Sequence, residues 1–434
     1  MNTNARLPTF ALDVSVTSVT PRVSGIQRLV RDLAEDLPPG CVLIRFDSKS
    51  QSFRIVRSVP RLVYRDSDGF AGALRRMLRL LAVAIYRKFS RLAPLRMPKK
   101  PSQLARRFYR RFLADSYLED KGEWRGGEEW APQPADNYFV IDIIQDDRHQ
   151  RAVRGLRDLG VQLTFYVHDL IPLTHPNLFP RSSLNSIRAD FLGYADLAME
   201  ADHLVVNSQE TLRQFELLEA LVTARSGQQK KVVYPTVKVP ERYRDQSSFD
   251  TVESDNNPLG GIRLLGIGAL SERKNFQVAI KCLLILLSMG KKASLTLVAG
   301  SSDDIDPQIL SLLSHMTEPQ KACLRLLGSL SDEQLQAEYE TTHVVLVPSR
   351  AEGFGLPILE AIFRGKPVVA NNLPVFREVG EGLPVFFARA DDASEWSKKV
   401  LAATESSFPA SGIPDALNRF PRTGSDFSFR VFSE

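Results

Sequence analysis

Residues 344–360 read Val-Val-Leu-Val-Pro-Ser-Arg-Ala-Glu-Gly-Phe-Gly-Leu-Pro-Ile-Leu-Glu, and this stretch decides the fold of the chain. The run from Val344 to Val347 is short, apolar and rich in β-branched residues, which predicts a buried parallel strand that ends at Pro348. Gly353 and Gly355 then allow the backbone to turn tightly and to approach a ligand closely. A strand followed at once by such a turn is typical of open, doubly wound α/β sheets.

The same stretch predicts a helix directly after the turn. Pro357 suits the first turn of a helix, and the apolar residues that follow it recur at helical spacing. Glu352 is therefore expected in the loop and Glu360 in the helix. Because open α/β sheets bind ligands at the carboxyl ends of their strands, both carboxylates are expected to face a ligand site.

This string resembles the motif of one protein family. Two glutamates separated by seven residues that enclose Gly-Phe-Gly-Leu-Pro are typical of the retaining GT-B glycosyltransferases of group 1 (family 4). The resemblance implies that Glu352 contacts the hydroxyls of the donor sugar and that Glu360 contacts the ribose hydroxyls. A carboxylate can accept two hydroxyl hydrogen bonds at once, and such charge-assisted bonds are the stronger kind.

Backbone amides between the two glutamates would contact the sugar and the diphosphate. A helix N-terminal carboxylate and a tight turn would explain either glutamate taken singly, whereas the match over the whole string favours the family. The donor-binding residues expected in this segment are Glu352, Gly353, Phe354, Gly355, Leu356 and Glu360.

The chain has 434 residues, of which 43% are hydrophobic and 25% are charged, a composition typical of a soluble globular protein with two or three domains. Its three cysteines, Cys41, Cys282 and Cys323, lie far apart without metal-ligand spacing, which suits a reducing compartment. The first residues lack the basic start and the long apolar core of a signal peptide. No uncharged apolar run is long enough to cross a membrane. A cytoplasmic location is therefore expected.

Short apolar runs alternate with helical patterns along most of the chain, which predicts parallel sheets covered by helices on both faces. The expected fold is α/β of the GT-B type, in which two Rossmann-like doubly wound domains face a cleft. The first, acceptor-side domain covers 1–235 and carries a basic helical insertion at 53–135. Residues 236–261 form a linker and a polar loop, 262–407 form the nucleotide-sugar-binding domain, and 408–434 form a tail.

Strands are predicted at similar spacing in both domains. In the first domain they cover Phe10 to Val16, Cys41 to Phe46, Tyr138 to Ile144, Gln162 to Val167 and His203 to Val206. In the second they cover Arg263 to Gly268, Ser294 to Ala299, Leu324 to Leu327, Val344 to Val347, Pro367 to Val369 and Pro384 to Phe387. The tail lacks the tryptophan that the family carries at the start of a helix crossing back to the first domain, so the sequence leaves that helix undecided.

Positive charge is concentrated in one part of the chain. Between Arg54 and Arg111 there are 17 Lys and Arg residues against two Asp residues, a net charge of +15 in a chain whose total is +5. From Leu74 to Leu92 apolar residues recur at helical spacing while arginines fall largely on the opposite side, which predicts a basic amphipathic helix. Residues 104–112 predict a second one. The basic residues of the first helix are Arg75, Arg76, Arg79, Arg87 and Arg91.

These basic helices have three interpretations. Basic amphipathic helices bind anionic membrane surfaces by burying the apolar face at the headgroup boundary, and each basic residue near the surface adds about 1 kcal/mol. A helical hairpin that packs on its own domain and solvates its arginines is the structural alternative. Nucleic acid is the third, but no nucleic-acid fold signature accompanies the segment. An anionic membrane surface is the favoured partner.

A second motif follows the first predicted strand of the second domain. The sequence Leu265-Gly-Ile-Gly-Ala-Leu-Ser-Glu-Arg-Lys-Asn275 places Arg273 and Lys274 at the expected start of a helix. Two exposed cations there would lie at the unfavourable end of the helix dipole, so a diphosphate partner is favoured. The leaving group of a nucleotide-sugar reaction gains charge as the glycosidic bond breaks, and cations stabilise it. By resemblance, the donor side also includes Gly268, Gly328, Ser329 and Leu330.

The first domain supplies candidate residues to the facing wall of the cleft. Ser24-Gly25-Ile26 resembles the family's first loop, in which a glycine allows the chain to approach the donor phosphate. Val167-His168-Asp169 ends a predicted strand, and the resemblance implies that His168 lies near the C6 hydroxyl of the donor sugar. Asp169 would orient His168 or contact the acceptor. A strand-end histidine held by the chain and an ordinary turn glycine are the structural alternatives.

The sequence indicates neither a metal site nor a nucleophilic triad. The six histidines are scattered, with no His-x-x-x-His pair, and the cysteines form no cluster. Asp-x-Asp spacing occurs at Asp66-Ser-Asp68 and at Asp304-Ile-Asp306, but both pairs fit turns or helix caps better. We therefore expect catalysis without a metal or another cofactor, with Arg273, Lys274 and backbone amides neutralising the leaving diphosphate.

The resemblance implies a retaining hexosyltransferase that moves a sugar from a nucleotide-sugar donor to a lipid-linked or growing polysaccharide acceptor, and the residues predict that it works without a metal. The strings Gly25-Ile-Gln-Arg28 and His168-Asp-Leu-Ile-Pro-Leu-Thr-His-Pro176 resemble those of bacterial transferases that build O-antigen or exopolysaccharide, often mannosyltransferases. GDP-mannose is therefore the expected donor. The residues expected to take part in catalysis are His168, Glu352, Arg273 and Lys274.

The expected location is cytoplasmic and peripheral, at the inner face of the cell membrane. A catalytically silent lipid-binding or scaffold subunit of a polysaccharide assembly complex is the alternative outside the enzyme class, and a GT-B sugar epimerase is the alternative within it. The presence of Glu352, Glu360, Arg273 and Lys274 favours an active transferase over a silent subunit.

The membrane interpretation predicts that the protein sediments with vesicles of anionic lipid at low salt and is released as salt rises, because ions screen the charges. Replacing Arg75, Arg76, Arg79, Arg87 and Arg91 by glutamine is expected to abolish sedimentation without unfolding, since these side chains would face headgroups. Co-sedimentation and far-UV circular dichroism measure the two effects. A wild-type protein that ignores anionic vesicles at low salt, or a glutamine variant that fails to fold, would give the hairpin a structural role.

Overall fold

The structure is a computed structural model of the chain. It describes residues 9–17, 25–37, 40–59, 61–64, 116–119, 127–179, 181–222, 227–237, 261–299, 305–406 and 416–432. The predicted basic helices at 74–92 and 104–112, with their arginines, lie outside the described residues, as do Ser24 and Asp304. Of the helices within those ranges, none combines the length and the apolar character needed to cross a membrane.

The first half of the chain contains the following elements. They are β1 (Phe10–Asp13), α1 (Gly25–Glu35), β2 (Cys41–Asp47), β3 (Ser52–Val56), β4 (Arg61–Tyr64), β5 (Ser116–Glu119), β6 (Asn137–Val140), α2 (Asp147–Asp158), β7 (Gln162–Val167), α3 (Ile171–Thr174), α4 (Arg181–Glu200), β8 (His203–Val206), α5 (Gln209–Leu221) and β9 (Gln229–Val232). Strands and helices alternate from β6 onward, as the sequence predicts.

The second half repeats this alternation. Its elements are β10 (Ile262–Ile267), a 3-10 turn (Glu272–Lys274), α6 (Phe276–Ser288), β11 (Ala293–Val298), α7 (Pro307–His315), α8 (Glu318–Ala322), β12 (Leu324–Leu327), α9 (Asp332–Thr341), β13 (Val344–Val347), α10 (Leu356–Ile362), β14 (Val368–Asn371), α11 (Pro374–Gly380), β15 (Val385–Ala388), α12 (Ala393–Glu405) and α13 (Gly424–Phe432).

Two large sheets organise the described residues. The first has the order β3-β2-β1-β6-β7-β8-β9 and is parallel apart from the antiparallel pair of β2 and β3. The second has the order β12-β11-β10-β13-β14-β15 and is parallel throughout. The strand order reverses beside β1 in one sheet and beside β10 in the other. Ligands of doubly wound sheets bind at the carboxyl ends next to this reversal. The predicted fold class is confirmed.

Side chains from both faces of each sheet are buried, because successive residues of a strand point to opposite faces. In the first sheet, Tyr138, Phe165 and Leu204 pack on one side and Phe139, Tyr166 and Val205 on the other. In the second sheet, Leu265, Val345 and Val368 are opposed in the same way by Leu264, Val344 and Val369. Each sheet is therefore the middle layer of a three-layer domain.

The described ends of the segment at 53–135 form strands, whereas the helices expected within it lie outside the described residues. Residues 52–56 form the edge strand β3, and β4 and β5 pair with each other as an antiparallel ladder. Phe53 is buried, with its ring centroid 5.4 Å from that of Phe46, and its carbonyl accepts from the Trp130 amide at 2.8 Å. A basic composition does not exclude a strand, since the alternate side chains can face the core and the solvent.

The tail returns to the first domain, which settles a point that the sequence leaves undecided. The ring centroid of Phe427 in α13 lies 5.2 Å from that of Tyr166 in β7. The ring of Phe432 lies 4.6 Å from that of Phe10 in β1. Phenylalanine rings therefore hold this helix against the first sheet, and the crossing forms without the tryptophan.

Replacing Phe427 by alanine is expected to destabilise the protein by roughly 3–5 kcal/mol, because it leaves a cavity where a buried ring packs on the first sheet. The side chain of Phe427 is 0% exposed, whereas Phe429 on the same helix is 72% exposed. Phe429→Ala is the matched control and is expected to change stability by no more than about 0.5 kcal/mol. Urea unfolding followed by circular dichroism measures both. Equal effects of the two substitutions would contradict the packing of α13.

Candidate active site

Two loops of the second domain are joined at the carboxyl ends of the adjacent strands β10 and β13. The first carries Arg273 and Lys274 in the 3-10 turn before α6, and the second carries Glu352. The Arg350 amide donates to the Arg273 carbonyl at 2.8 Å, and the Arg273 guanidinium donates to the Ala351 carbonyl at 2.9 Å. These bonds hold the two loops together. Arg273 and Lys274 precede α6 instead of starting it, which differs from the expectation from sequence.

Glycines shape both loops where another residue would be strained. Gly268 has a φ of +146°, and a Cβ added there would lie 3.2 Å from Cε of Lys274. Gly355 has a φ of +120°, and its added Cβ would lie 2.9 Å from the Phe376 ring. Residues with a side chain rarely adopt such backbone angles. At Gly268 the space without a Cβ is occupied by the aliphatic stem of Lys274.

Glu352 gathers two cations into one group, which we call the Glu352 cluster: Glu352, Arg273 and Lys274. Its Oε1 lies 3.0 Å from Nη1 of Arg273 and accepts a short hydrogen bond from Nζ of Lys274. The three side chains are 15%, 26% and 16% exposed, respectively. Charges so far from water attract each other strongly. Because two cations face one carboxylate, the cluster has a net positive charge.

The protonation of Glu352 follows from its neighbours. Burial alone would raise the pKa of its carboxyl, but the charges of Arg273 and Lys274 outweigh burial and lower the pKa to about 2. Burial lowers the pKa of Lys274, and the attraction of Glu352 acts in the opposite direction. Glu352 is therefore ionised throughout the physiological pH range, and it remains an acceptor for hydroxyl groups.

Glu360 lies in α10, and both of its oxygens have partners. Arg28, from α1 of the first domain, donates to Oε1 at 3.1 Å, and the hydroxyl of Tyr339 in α9 donates to Oε2 at 3.4 Å. Neither Arg28 nor Tyr339 is among the residues that the sequence predicts for the site. The string Gly25-Ile-Gln-Arg28 was recognisable, but its contact with Glu360 spans 332 positions of the chain. No local pattern indicates such a pairing.

His168 lies just beyond the end of β7 on the facing wall of the cleft and is uncharged. Burial lowers the pKa of its imidazole to about 4. Its Nε2 lies 2.6 Å from the Ile141 carbonyl oxygen, and because a carbonyl only accepts, Nε2 carries the proton. Nδ1 is then an acceptor that suits a hydroxyl group. The Ile141 carbonyl orients the ring, while Asp169 accepts from the Ile171 amide at 3.0 Å.

Asp169 faces the Glu352 cluster across the cleft. Burial raises the pKa of its carboxyl, with a smaller contribution in the same direction from Glu352, while Arg273 and Lys274 act against it. The main chain of the second domain approaches at the same place. A Cβ added to Gly353 would lie 1.9 Å from the His168 carbonyl oxygen and 2.8 Å from Cβ of Asp169. Gly353 therefore permits a contact between the domains that any side chain would prevent.

Further hydrogen bonds join the domains around this contact. Ser208, the N-cap of α5, donates to the Gly353 carbonyl at 2.9 Å. Within the first domain, Asn207 donates to the same His168 carbonyl that Gly353 approaches, at 2.6 Å. Glu378 of α11 accepts from the first two amides of α5, at 2.7 and 3.2 Å. A carboxylate is favoured at a helix N-terminus, but nothing local in the sequence connects Glu378 with a helix of the other domain.

The other predicted donor-binding residues lie at the starts of helices or in the loop after a strand. Gly25 begins α1, and Leu356 begins α10. Gly328, Ser329 and Leu330 form the loop between β12 and α9. The ring of Phe354 is buried in the core, so only its backbone can face the cleft.

Asp306 caps α7 through the Gln308 amide at 2.8 Å, as the sequence predicts. Within the described ranges, no three His, Cys, Asp or Glu side chains are grouped to hold a metal ion.

Known proteins resemble parts of this chain. The family described as "Glycosyl transferases group 1" matches residues 261–406. The serotype-specific mannosyltransferase WbdA of Escherichia coli is 26% identical over 249 residues, which cover 54% of this chain and 29% of WbdA. The O-antigen chain mannosyltransferase RfbU of Salmonella typhimurium is 27% identical over 157 residues, which cover 36% of this chain and 40% of RfbU. The chain thus matches less than half the length of either relative.

The crystal structure of Anabaena Alr3699/HepE in complex with UDP and glucose has the same fold, with a TM-score of 0.60 over 98% of both chains at 17% identity. The fold of this chain is therefore that of a GT-B protein. Residues 261–406 match the model of the group 1 glycosyltransferases. The predicted resemblance to that family is confirmed, and the relatives include two mannosyltransferases, one of them an O-antigen chain mannosyltransferase.

Replacing Gly353 by alanine is expected to open the cleft, because the new methyl group would overlap the His168 carbonyl. Overpacking typically costs about 1–3 kcal/mol, and the domains can avoid it by separating. Small-angle scattering is expected to show a larger radius of gyration, with unchanged circular dichroism. Gly155 in α2 is the matched control, since an added Cβ there meets nothing within 4 Å. A Gly353→Ala protein with the wild-type radius would disprove the contact.

Proposed function

We propose that this chain is a glycosyltransferase that moves a hexose, with mannose as the first choice, from a nucleotide-sugar donor to a lipid-linked or growing polysaccharide acceptor. The observation that carries this proposal is the Glu352 cluster, two largely buried cations on one carboxylate, facing His168 and Asp169 across the cleft. The group 1 domain at 261–406 and the mannosyltransferase relatives support the same reaction.

Different charged residues of the second domain would bind different parts of the donor. Glu360 would accept from the ribose hydroxyls and Glu352 from the hydroxyls of the sugar, since carboxylates form strong charge-assisted hydrogen bonds. Because the pKa of Glu352 is about 2, this acceptor is ionised at neutral pH. Arg273 and Lys274 would contact the diphosphate.

Transfer with retention is proposed as a front-face displacement. The bond from the acceptor oxygen to the anomeric carbon forms on the face from which the diphosphate leaves, and the leaving diphosphate takes the proton of the acceptor hydroxyl. Arg273 and Lys274 stabilise the charge that develops on the leaving group, so the proposed reaction is independent of a metal ion. Neutral His168 would accept a hydroxyl of the donor sugar at Nδ1 and so hold the sugar in position.

GDP-mannose is the proposed donor because the relatives include mannosyltransferases. UDP-glucose is the natural comparison, since UDP and glucose are present in the complex of HepE. The proposed location is the cytoplasmic face of the cell membrane, where the basic segment at 74–92 would contact anionic lipid. Such a position would bring the cleft close to a lipid-linked acceptor.

Lys274→Ala is expected to lower transfer from the preferred donor by at least about 100-fold, the scale of one lost contact to a developing charge. A screen of GDP-mannose, UDP-glucose and other nucleotide sugars, with membrane lipid extract as acceptor, identifies the donor through nucleoside diphosphate release. Lys281→Ala is the control, because it removes the same charge from an exposed position of α6. Its activity is expected to equal that of the wild type.

Circular dichroism of both variants separates a chemical effect from unfolding. A folded Lys274→Ala protein with wild-type turnover would remove Lys274 from the mechanism. The absence of diphosphate release with every donor, in the presence of lipid acceptor, would contradict the proposed transfer.

A further inference from the structure

We propose that Arg28 is a donor-binding residue contributed by the first domain, and that it exchanges partners during binding. In this structure Arg28 pairs with Glu360. When a donor occupies the cleft, the ribose hydroxyls bind the Glu360 carboxylate, and the Arg28 guanidinium moves to the diphosphate. This inference rests on the proposed function, because it requires a nucleotide in the cleft. Arg28 would add a third cation, carried by the first domain, to Arg273 and Lys274 of the second domain.

The pair of Arg28 and Glu360 is suited to exchange. Nη1 of Arg28 lies 3.1 Å from Oε1 of Glu360, and the Arg28 side chain is 37% exposed while that of Glu360 is 16% exposed. Ion pairs that water reaches on one side contribute little net stability. A ligand can therefore replace Arg28 at Glu360 at small cost.

A ribose would compete directly for the same carboxylate. One oxygen of Glu360 accepts from Arg28 and the other accepts from Tyr339. Ribose hydroxyls donate hydrogen bonds to carboxylates, so their arrival weakens the hold on the guanidinium. The ribose also carries the α-phosphate on its 5′ carbon, two bonds from the 3′ carbon. A nucleotide whose ribose occupies Glu360 therefore brings phosphate oxygens within reach of the long arginine side chain.

The charge of the cleft favours this movement. The Glu352 cluster offers Arg273 and Lys274, but both lie within bonding distance of Oε1 of Glu352. A single net positive charge in the cluster faces a diphosphate ester with two negative charges. Arg28 supplies a further cation, and its planar guanidinium can bind two phosphate oxygens at once.

The helix that carries Arg28 is held at both ends, so only the side chain has to move. Near its start, the buried Asp142 at the end of β6 accepts from Thr17 at 2.6 Å and also bonds the side chain of Gln27. At its other end, Asp36 accepts from the Ser425 amide at 2.8 Å. A long, flexible arginine on a fixed helix is able to reach either of two adjacent anions.

The test compares a diphosphate with the matching nucleoside by calorimetry, using GDP with guanosine and UDP with uridine. Arg28→Gln is expected to weaken the preferred diphosphate by about tenfold or more, the effect of one charge-assisted contact. The matching nucleoside is expected to bind equally well or more tightly, because Glu360 no longer has a competing cation. Glu360→Gln, in contrast, is expected to weaken the nucleoside, because the ribose loses its carboxylate acceptor. Arg31→Gln, which removes the same charge one turn along α1, is the control.

Each outcome decides the question. If Arg28→Gln leaves the affinity for diphosphate unchanged, or weakens diphosphate and nucleoside by equal factors, Arg28 is only a contact between domains and the inference is wrong. If the Arg31→Gln control weakens the diphosphate as much as Arg28→Gln does, the effect is general electrostatics, and the inference is equally wrong. A wild-type protein that binds none of the four ligands overturns the proposed function itself. The exchange is supported if Arg28→Gln weakens the diphosphate but not the nucleoside, and Arg31→Gln weakens neither.

Discussion

The contact between Gly353 and the His168 carbonyl is the constraint on which the site depends. A Cβ at Gly353 would lie 1.9 Å from that oxygen, so the approach of the two main chains requires a residue without a side chain. The same carbonyl accepts from Asn207, and the Gly353 carbonyl accepts from Ser208. These bonds satisfy polar backbone groups that the contact removes from water. Because Glu352 precedes Gly353 and Asp169 follows His168, the contact also sets which charges face one another.

The electrostatics of the cleft follow from this approach. Glu352 stays ionised although it is largely buried, because Arg273 and Lys274 lower its pKa to about 2. Asp169, on the other wall, responds mainly to burial, and its pKa is raised. One carboxyl with a lowered pKa and one with a raised pKa therefore face Arg273 and Lys274. An arrangement of this kind holds a polar, anionic ligand more readily than an apolar one.

The positions of most strands and helices along the chain are readable in the sequence, because each depends on patterns over a few neighbouring residues. The string from Val344 to Glu360 predicts a strand, a turn and a helix, and β13 and α10 are found there. Strands β3 and β9 are not predicted, because arginine and lysine interrupt their apolar pattern. Their place at the sheet edges, where one side meets solvent, tolerates those residues.

By itself the sequence determines the α/β class and the two doubly wound domains, and it predicts Glu352, Glu360, Arg273, Lys274 and His168 as site residues, since short motifs carry the backbone geometry and the charges. Tertiary structure alone decides which charges meet. The pairing of Arg28 with Glu360 spans 332 positions, and the return of α13 to the first sheet depends on rings such as Phe427 and Phe432. Contacts between distant segments depend on how the two domains pack, and no local spacing records that packing.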